Sequence, residues 1–299
     1  MMPTKTKIEW ADYVSNPLKA IYQTPPMPLL GEHSISKKGF ACVKHSEGCA
    51  HCWASSMNVR LGTGLAYTLP NLAKVDLFWD DAEQVRLMNY KPKGPFKNER
   101  SRPILFFHDM TDIFGDWVDA EYQKRTWGIM EWRADIDFVV LTKRPELMYA
   151  FVAGSRVLTN VILGASVENQ QRANERVDPM MALARRGWKT LVSYEPALGP
   201  VNWSRWEDLT WLICGGESGP AARPMSPDWA LAAKWFCAEN DIAFFFKQWG
   251  EFAPTYALVD RGMATFKNKP VDVDGTLMAR VGKGVAGHLL YGNEWRGIP

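Results

Sequence analysis

Short apolar runs rich in β-branched and aromatic residues recur roughly every 20 to 35 residues along most of this chain, and each stops at a polar residue. The runs are Val75–Phe78, Ile104–His108, Phe138–Thr142, Val161–Ala165, Thr190–Ser193, Trp211–Cys214 and Ala243–Phe246. Nearly continuous apolar runs are the pattern of parallel strands covered on both faces, and the longer stretches between them have room for helices. The expectation is an α/β protein made of β/α units. One further strand at Gly39–Ala41 would bring the count to eight, giving a (β/α)8 TIM-type barrel, complete, partial or distorted.

The polar stops are Asp109 and Asp112, Lys143 and Arg144, Glu168 and Asn169, Glu195, Glu217, and Lys247 and Gln248. In a parallel barrel these positions converge on one mouth, where catalytic groups sit, so as a set they describe a lined active site. Any one of them has a plainer reading, since strand ends meet water. Gln23 to Lys38, with Thr24-Pro25-Pro26-Met27-Pro28, reads as an irregular excursion, because clustered prolines remove donors and fix the backbone. From Pro254 onward the chain is Gly-rich and polar, and Val271-Asp272-Val273-Asp274-Gly275 resembles a strand and turn. This divides the chain into a barrel over 1–253 and a C-terminal extension packed on it over 254–299.

Three of the five cysteines, Cys42, Cys49 and Cys52, fall within eleven residues, spaced C-x6-C-x2-C. That is a poor disulfide plan and a good metal plan in a reducing compartment. Three thiolates can ligate three irons of a [4Fe-4S] cluster and leave the fourth iron for the amino and carboxylate groups of S-adenosyl-L-methionine. Trp53, next in the chain, could pack near the adenine. A structural zinc site competes, because Cys3His is an ordinary zinc set and His45 and His51 lie in the same loop. A redox pair of Cys49 and Cys52 fits less well, as nothing around it reads as a thioredoxin βαβ unit. The first gap is longer than the C-x3-C-x2-C spacing familiar in radical enzymes. Cys214 and Cys237 read as packed thiols.

The strand-end residues suggest further roles. Gly215-Gly216-Glu217-Ser218 follows an apolar strand, where glycines let backbone amides approach a ligand. Gly215, Gly216, Ser218 and Glu168 are therefore candidate cofactor-binding positions beside Trp53. Lys143, Glu195 and Glu217 are candidate catalytic groups, with a core salt bridge from Glu195 or Glu217 to Lys143 or Lys247 as the structural alternative. Glu168-Asn169-Gln170 could present polar edges to a base, or could cap a turn. Trp206, Trp211, Trp229 and Trp235 are expected in packing roles. The formal net charge of +2 provides no broad basic field for nucleic acid, although a local site is compatible with it. The N-terminus has no apolar leader and no run is long enough to span a bilayer, so a cytoplasmic protein without membrane contact is expected.

Lys7-Ile8-Glu9-Trp10, Asn16-Pro17, the three-cysteine loop, Leu141-Thr142-Lys143-Arg144-Pro145, Gly164-Ala165-Ser166-Val167-Glu168-Asn169-Gln170, Tyr194-Glu195-Pro196-Ala197-Leu198-Gly199-Pro200 and Gly215-Gly216-Glu217-Ser218-Gly219 form a longer pattern. Arg223-Pro224-Met225, Phe244-Phe245-Phe246-Lys247-Gln248-Trp249-Gly250 and Arg280-Val281-Gly282-Lys283 continue it. Over nearly its whole length the chain resembles the phage-associated family known as gene product thirty-seven and gene product sixty-eight, a domain of unknown function. It departs from that family in the long insertion from Leu18 to Ala41. The resemblance implies a radical enzyme in which a one-electron reductant serves the cluster. By analogy with phages that rebuild thymine in their own DNA, it also implies a nucleobase, nucleotide or DNA substrate, for example the isomerisation of an amino-acid-modified thymidine. The alternative is a zinc-binding, nucleic-acid-associated protein without radical chemistry.

Overall fold

The computed structural model describes residues 3–25, 34–263 and 265–299. Two compact units divide the chain, Met1–Leu147 and Met148–Pro299.

The first unit opens with β1 (Thr4–Lys5), β2 (Tyr13–Ser15), β3 (Leu18–Gln23) and β4 (Ser36–Gly39). The cysteine loop follows, then α1 (Trp53–Leu61), α2 (Leu69–Leu72), β5 (Val75–Trp79) and α3 (Asp81–Met88). β6 (Ile104–Phe107), α4 (Ala120–Trp132) and β7 (Asp137–Thr142) complete it, and α5 (Pro145–Val152) crosses the boundary. β1 pairs antiparallel with β2, β2 pairs parallel with β6, and β6 pairs parallel with β7. Leu105, Phe107 and Phe138 to Val140 are fully buried, as strands covered on both faces require. β3 lies between β4 and β5, antiparallel to both.

In the second unit β8 (Val161–Ser166), β9 (Lys189–Tyr194), β10 (Trp211–Gly215) and β11 (Ala243–Gln248) pair in that order, all parallel. α6 (Gln170–Arg185) and α7 (Pro227–Glu239) are two of the crossovers, begun by Asn169 and Ser226, whose side chains accept from Arg172 N and Asp228 N. β12 (Phe252–Pro254), α8 (Thr255–Val259), β13 (Val271–Val273), β14 (Thr276–Arg280) and α9 (Lys283–Ala286) follow. β14 pairs antiparallel with both β12 and β13. The β13–β14 turn has Asp274 and Gly275 at φ 50° and 82°, the left-handed geometry that Asp-Gly suits. The segment after α9 runs back along β11: Phe246 N donates to Trp295 O at 2.9 Å and Gly297 N to Phe244 O at 2.9 Å. Arg296 Nη1 adds a bond to Phe246 O at 2.9 Å and sets its guanidinium 4.8 Å from the Phe245 ring centre.

Six of the seven expected apolar runs are parallel strands, and the protein is mixed α/β with largely parallel pairing. A closed eight-stranded barrel is not formed by any pairing among the described residues. The run at Val75–Phe78 belongs instead to the antiparallel sheet of β3, β4 and β5, and none of its four side chains is fully buried, unlike those of strands covered on both faces. The strand expected at Gly39–Ala41 is not formed: β4 (Ser36–Gly39) reaches only Gly39 of it and belongs to the same antiparallel sheet, while Phe40 and Ala41 are irregular chain. The excursion expected from Gln23 to Lys38 is regular at its ends, since Gln23 closes β3 and Ser36 to Lys38 pair with it as the first three residues of β4, while 26–33 lie outside the described residues. Trp206 and Trp211 are core residues as expected, but Trp235 is largely exposed with the Lys234 ammonium 3.7 Å from its ring centre. No helix of the described residues is long and apolar enough to cross a membrane.

Candidate functional site

The cysteine loop begins where β4 ends. Cys42 sits in irregular chain, Cys49 closes a 3-10 turn at Glu47–Cys49, and Cys52 is the N-cap residue of α1. All three are free thiols and half-buried, whereas Cys214 and Cys237 are free and fully buried. Cys42 and Cys52 pack with Phe40 against Ala54, Tyr67 and Met110. Cys49 Sγ accepts from the backbone N–H of His45 at 3.5 Å. Burial pushes the Cys42 thiol up to about 12, the Asp112 carboxylate adds to this, and the Asp112 backbone N–H opposes it by bonding to the thiol. Cys52 and Cys49 act electrostatically on Cys42 as well, so the three thiols share one neighbourhood.

Cys42 is fastened from both sides. Thr111 Oγ1 donates to the carbonyl of Ala41 at 2.5 Å, and Arg144 Nη2 donates to that of Val43 at 3.4 Å. Arg144 is itself held by Asp112, with Nη1 to Oδ2 at 3.0 Å, and lies 4.6 Å from the centre of the Trp117 ring. Asp112 also accepts from Thr142 Oγ1 at 2.7 Å, Phe114 N at 3.1 Å and Lys143 N at 3.3 Å. The loop that carries Thr111 and Asp112 leaves β6 at His108, a buried residue with φ 60°. That strained backbone turns the chain toward the cysteines. His108 Nε2 meets Thr126 Oγ1 at 3.0 Å, and burial depresses the imidazole to about 3.

Asn16 braces the same turn, donating to Asp109 Oδ1 at 2.5 Å and accepting from Met110 N at 3.0 Å. Tyr67 adds a bond to Met110 O at 2.7 Å. Burial raises the Asp109 carboxyl to about 6. Thr111, Asn16, Tyr67 and Trp117 were not among the expected site residues. Asn16 alone had a signal, in the Asn16-Pro17 pair. Trp53, expected near a cofactor, is half in solvent at the head of α1. Lys143 is half-buried, with its backbone on Asp112.

The remaining expected residues lie in the second unit, and most have structural partners. Glu168 is fully buried and paired with Arg176 Nη1 at 2.7 Å. Asn169 caps α6, while Gln170 accepts from Asn202 N at 2.6 Å, so this segment caps and staples a turn. Glu217 is gripped by Arg223, whose Nε and Nη2 donate to its two oxygens at 2.8 and 2.7 Å. Ser218 Oγ accepts from Gln248 Nε2 at 3.1 Å. Glu195 pairs with Lys247 at 3.0 Å, the salt bridge named as its structural alternative.

The two glycines have packing reasons of their own. A Cβ on Gly215 would stand 2.8 Å from Glu195 Oε1, and one on Gly216 only 1.9 Å from Trp249 O. Gly215 thus makes room for the Glu195 carboxylate and Gly216 lets two backbones touch.

Among the described residues, no group of three or more His, Cys, Asp or Glu side chains is arranged to hold a metal ion. The donor chemistry of the loop nevertheless suits a thiolate-bound cluster. It offers three free thiols, N–H donors to two of the sulfurs and an apolar wall, the features by which proteins hold and tune iron–sulfur groups. Compared with known proteins, residues 37–299 match the family DUF5131, described as a protein of unknown function. No curated protein and no solved structure matches the chain.

Proposed function

The chain belongs to the DUF5131 family, and from that premise we propose that it is a radical S-adenosylmethionine enzyme whose [4Fe-4S] cluster is held by Cys42, Cys49 and Cys52. The observation that carries this reading is the fastening of Cys42, the most remote of the three thiols in sequence, by Thr111 and Arg144 on either side. Held by these three thiolates, such a cluster would supply one-electron reduction of S-adenosylmethionine and with it hydrogen-abstracting radical chemistry.

The chain's own residues do the rest. Thr111 and Arg144 hold the Cys42 backbone, and the His45 N–H moderates charge on the Cys49 sulfur. Lys143, Glu195 and Lys247 are part-exposed polar groups suited to holding or moving a proton or a substrate anion. Glu217 and Glu168 act through the arginines they bind, and Gly215, Gly216 and Ser218 shape the strand end. The substrate class is a nucleobase or modified nucleotide, and the outcome an isomerisation or another radical transformation in DNA modification.

A zinc site is the second reading, favoured by His51 lying between Cys49 and Cys52. Anaerobic purification and reconstitution followed by iron, sulfide and zinc analysis separates the two. About four irons and four sulfides per chain, with dithionite-dependent formation of 5′-deoxyadenosine, are expected. Stoichiometric zinc without sulfide overturns the radical reading.

A further inference from the structure

Helix α1 begins directly after Cys52 and turns an apolar row toward solvent. Trp53, Met57 and Leu61 stand four residues apart on one face and are 52, 38 and 70 % exposed. Leu69, at the head of α2, adds a side chain that is 66 % exposed. The residues α1 buries are Ala54, Ser55 and Asn58. A surface helix ordinarily buries its large apolar side chains, so an unpartnered row of this kind marks a contact surface.

Cations border the row. Arg60 is in the last turn of α1, the Lys37 ammonium lies beside Gly64 just past the helix, and Lys44 reaches the Ala50 carbonyl at 3.4 Å. Among the described residues none of the three has a carboxylate partner. From Ser36 to Lys74 the chain carries Lys37, Lys38, Lys44, Arg60 and Lys74 against the single acid Glu47, a net charge of +4 where the whole chain has +2. The positive excess is concentrated around the cysteine loop.

We propose that this face docks a small acidic one-electron carrier protein, a flavoprotein or iron–sulfur protein, that reduces the cluster. The proposal rests on the cluster reading of Cys42, Cys49 and Cys52. An apolar centre ringed by one sign of charge is the arrangement by which charged partners are steered and then held. The row is mainly aliphatic, with Trp53 its one aromatic, which favours a protein partner over a single-stranded nucleic acid that would need successive stacking faces. At a rise of about 1.5 Å per residue the helix is only about 13 Å long, so a partner seated along it stands close to Cys52. One electron leaves the reduced carrier, which is oxidised by one electron, and the cluster passes from the 2+ to the 1+ state. No proton or group is transferred.

The test uses reconstituted full-length protein, with dithionite and reduced flavodoxin as alternative electron donors. In the double variant Lys37→Glu, Arg60→Glu, dithionite-driven cleavage of S-adenosylmethionine is expected to stay at the wild-type level. Cluster reduction by flavodoxin, followed by electron paramagnetic resonance, is expected to slow by about tenfold at low salt, with the difference closing at high salt. Leu61→Ser, which changes no charge, is expected to weaken flavodoxin binding. An unchanged flavodoxin rate in both variants overturns the proposal, as does loss of oligonucleotide binding alone. Absence of dithionite-driven cleavage in the wild type overturns the cluster reading itself.

Discussion

The guanidinium of Arg144 meets the carboxylate of Asp112 at 3.0 Å, with both side chains 9 % exposed, and the same guanidinium reaches the chain beside Cys42. A buried ion pair is therefore the hinge pin between the end of β7 and the cysteine loop. Removing one partner of such a pair leaves an uncompensated charge, which costs more than the pair itself contributes. Arg144→Met is expected to destabilise the protein by about 3 kcal/mol in urea unfolding. It should also lower iron content after reconstitution, because Val43 loses its donor. Unchanged unfolding midpoints would show that the three other donors to Asp112 suffice.

Asp109 sets a pH dependence with a definite sign. Its carboxyl is raised from 3.8 to about 6, chiefly by burial, so the folded chain retains a proton that the unfolded chain releases. Stability from this group is fully present below about pH 4 and is lost as pH rises through about 6. Asp109→Asn keeps an acceptor for Asn16 and abolishes the penalty. The variant is expected to exceed the wild type by about 1–3 kcal/mol at pH 7.5, with the two converging toward pH 4. Parallel urea titrations across that range check it, and a constant difference at every pH refutes it.

The five cysteines should separate into two classes. Replacing Cys42, Cys49 or Cys52 by Ala is expected to cut bound iron and sulfide to a small fraction and abolish cleavage of S-adenosylmethionine. Cys214→Ala and Cys237→Ala should leave metal content per folded chain unchanged while lowering stability by about 1–2 kcal/mol, the cost of a small buried cavity. Metal analysis of the five variants decides, and retained cluster in Cys49→Ala would remove that thiol from the ligand set.

Two glycines offer opposite outcomes from the same substitution. Gly216→Ala would place a methyl 1.9 Å from a backbone oxygen that cannot yield cheaply, and a loss of more than about 3 kcal/mol or failure to fold is expected. Gly128 lies inside α4, where an added methyl would meet nothing within 4 Å, so Gly128→Ala is expected to stabilise by about 0.5–1 kcal/mol. Thermal melts of both variants measure the contrast.

What could be read from the chain beforehand follows from which forces leave a local trace. Strands covered on both faces must be apolar throughout, so Phe138–Thr142, Trp211–Cys214 and their like were legible as strands. Apolar character does not carry the direction of the neighbouring strand, which is why Val75–Phe78 reads like a member of the parallel set although β5 runs antiparallel to β3. The cysteine triplet was visible because its members are close in sequence. Its fastening was not, since Thr111 and Arg144 lie 70 and 101 residues from the carbonyls they hold. For Glu217 and Glu168, polar strand ends were legible but their saturation by Arg223 and Arg176 was not. A carboxylate at a strand end looks the same in sequence whether it faces a ligand or an arginine.

The pairing of Trp295–Gly297 with β11 has a consequence for how the protein survives its own folding. β11 contains three consecutive phenylalanines, and an unpaired strand of that composition is a template for intermolecular association. Its covering partner lies some fifty residues further along, so the edge stays bare until a distant segment returns. A cut between α9 and Asn293 would expose that edge again without touching any cysteine. Proteolytic nicking there should convert a well-dispersed protein into a seed for aggregates, making this strap a guard against self-association.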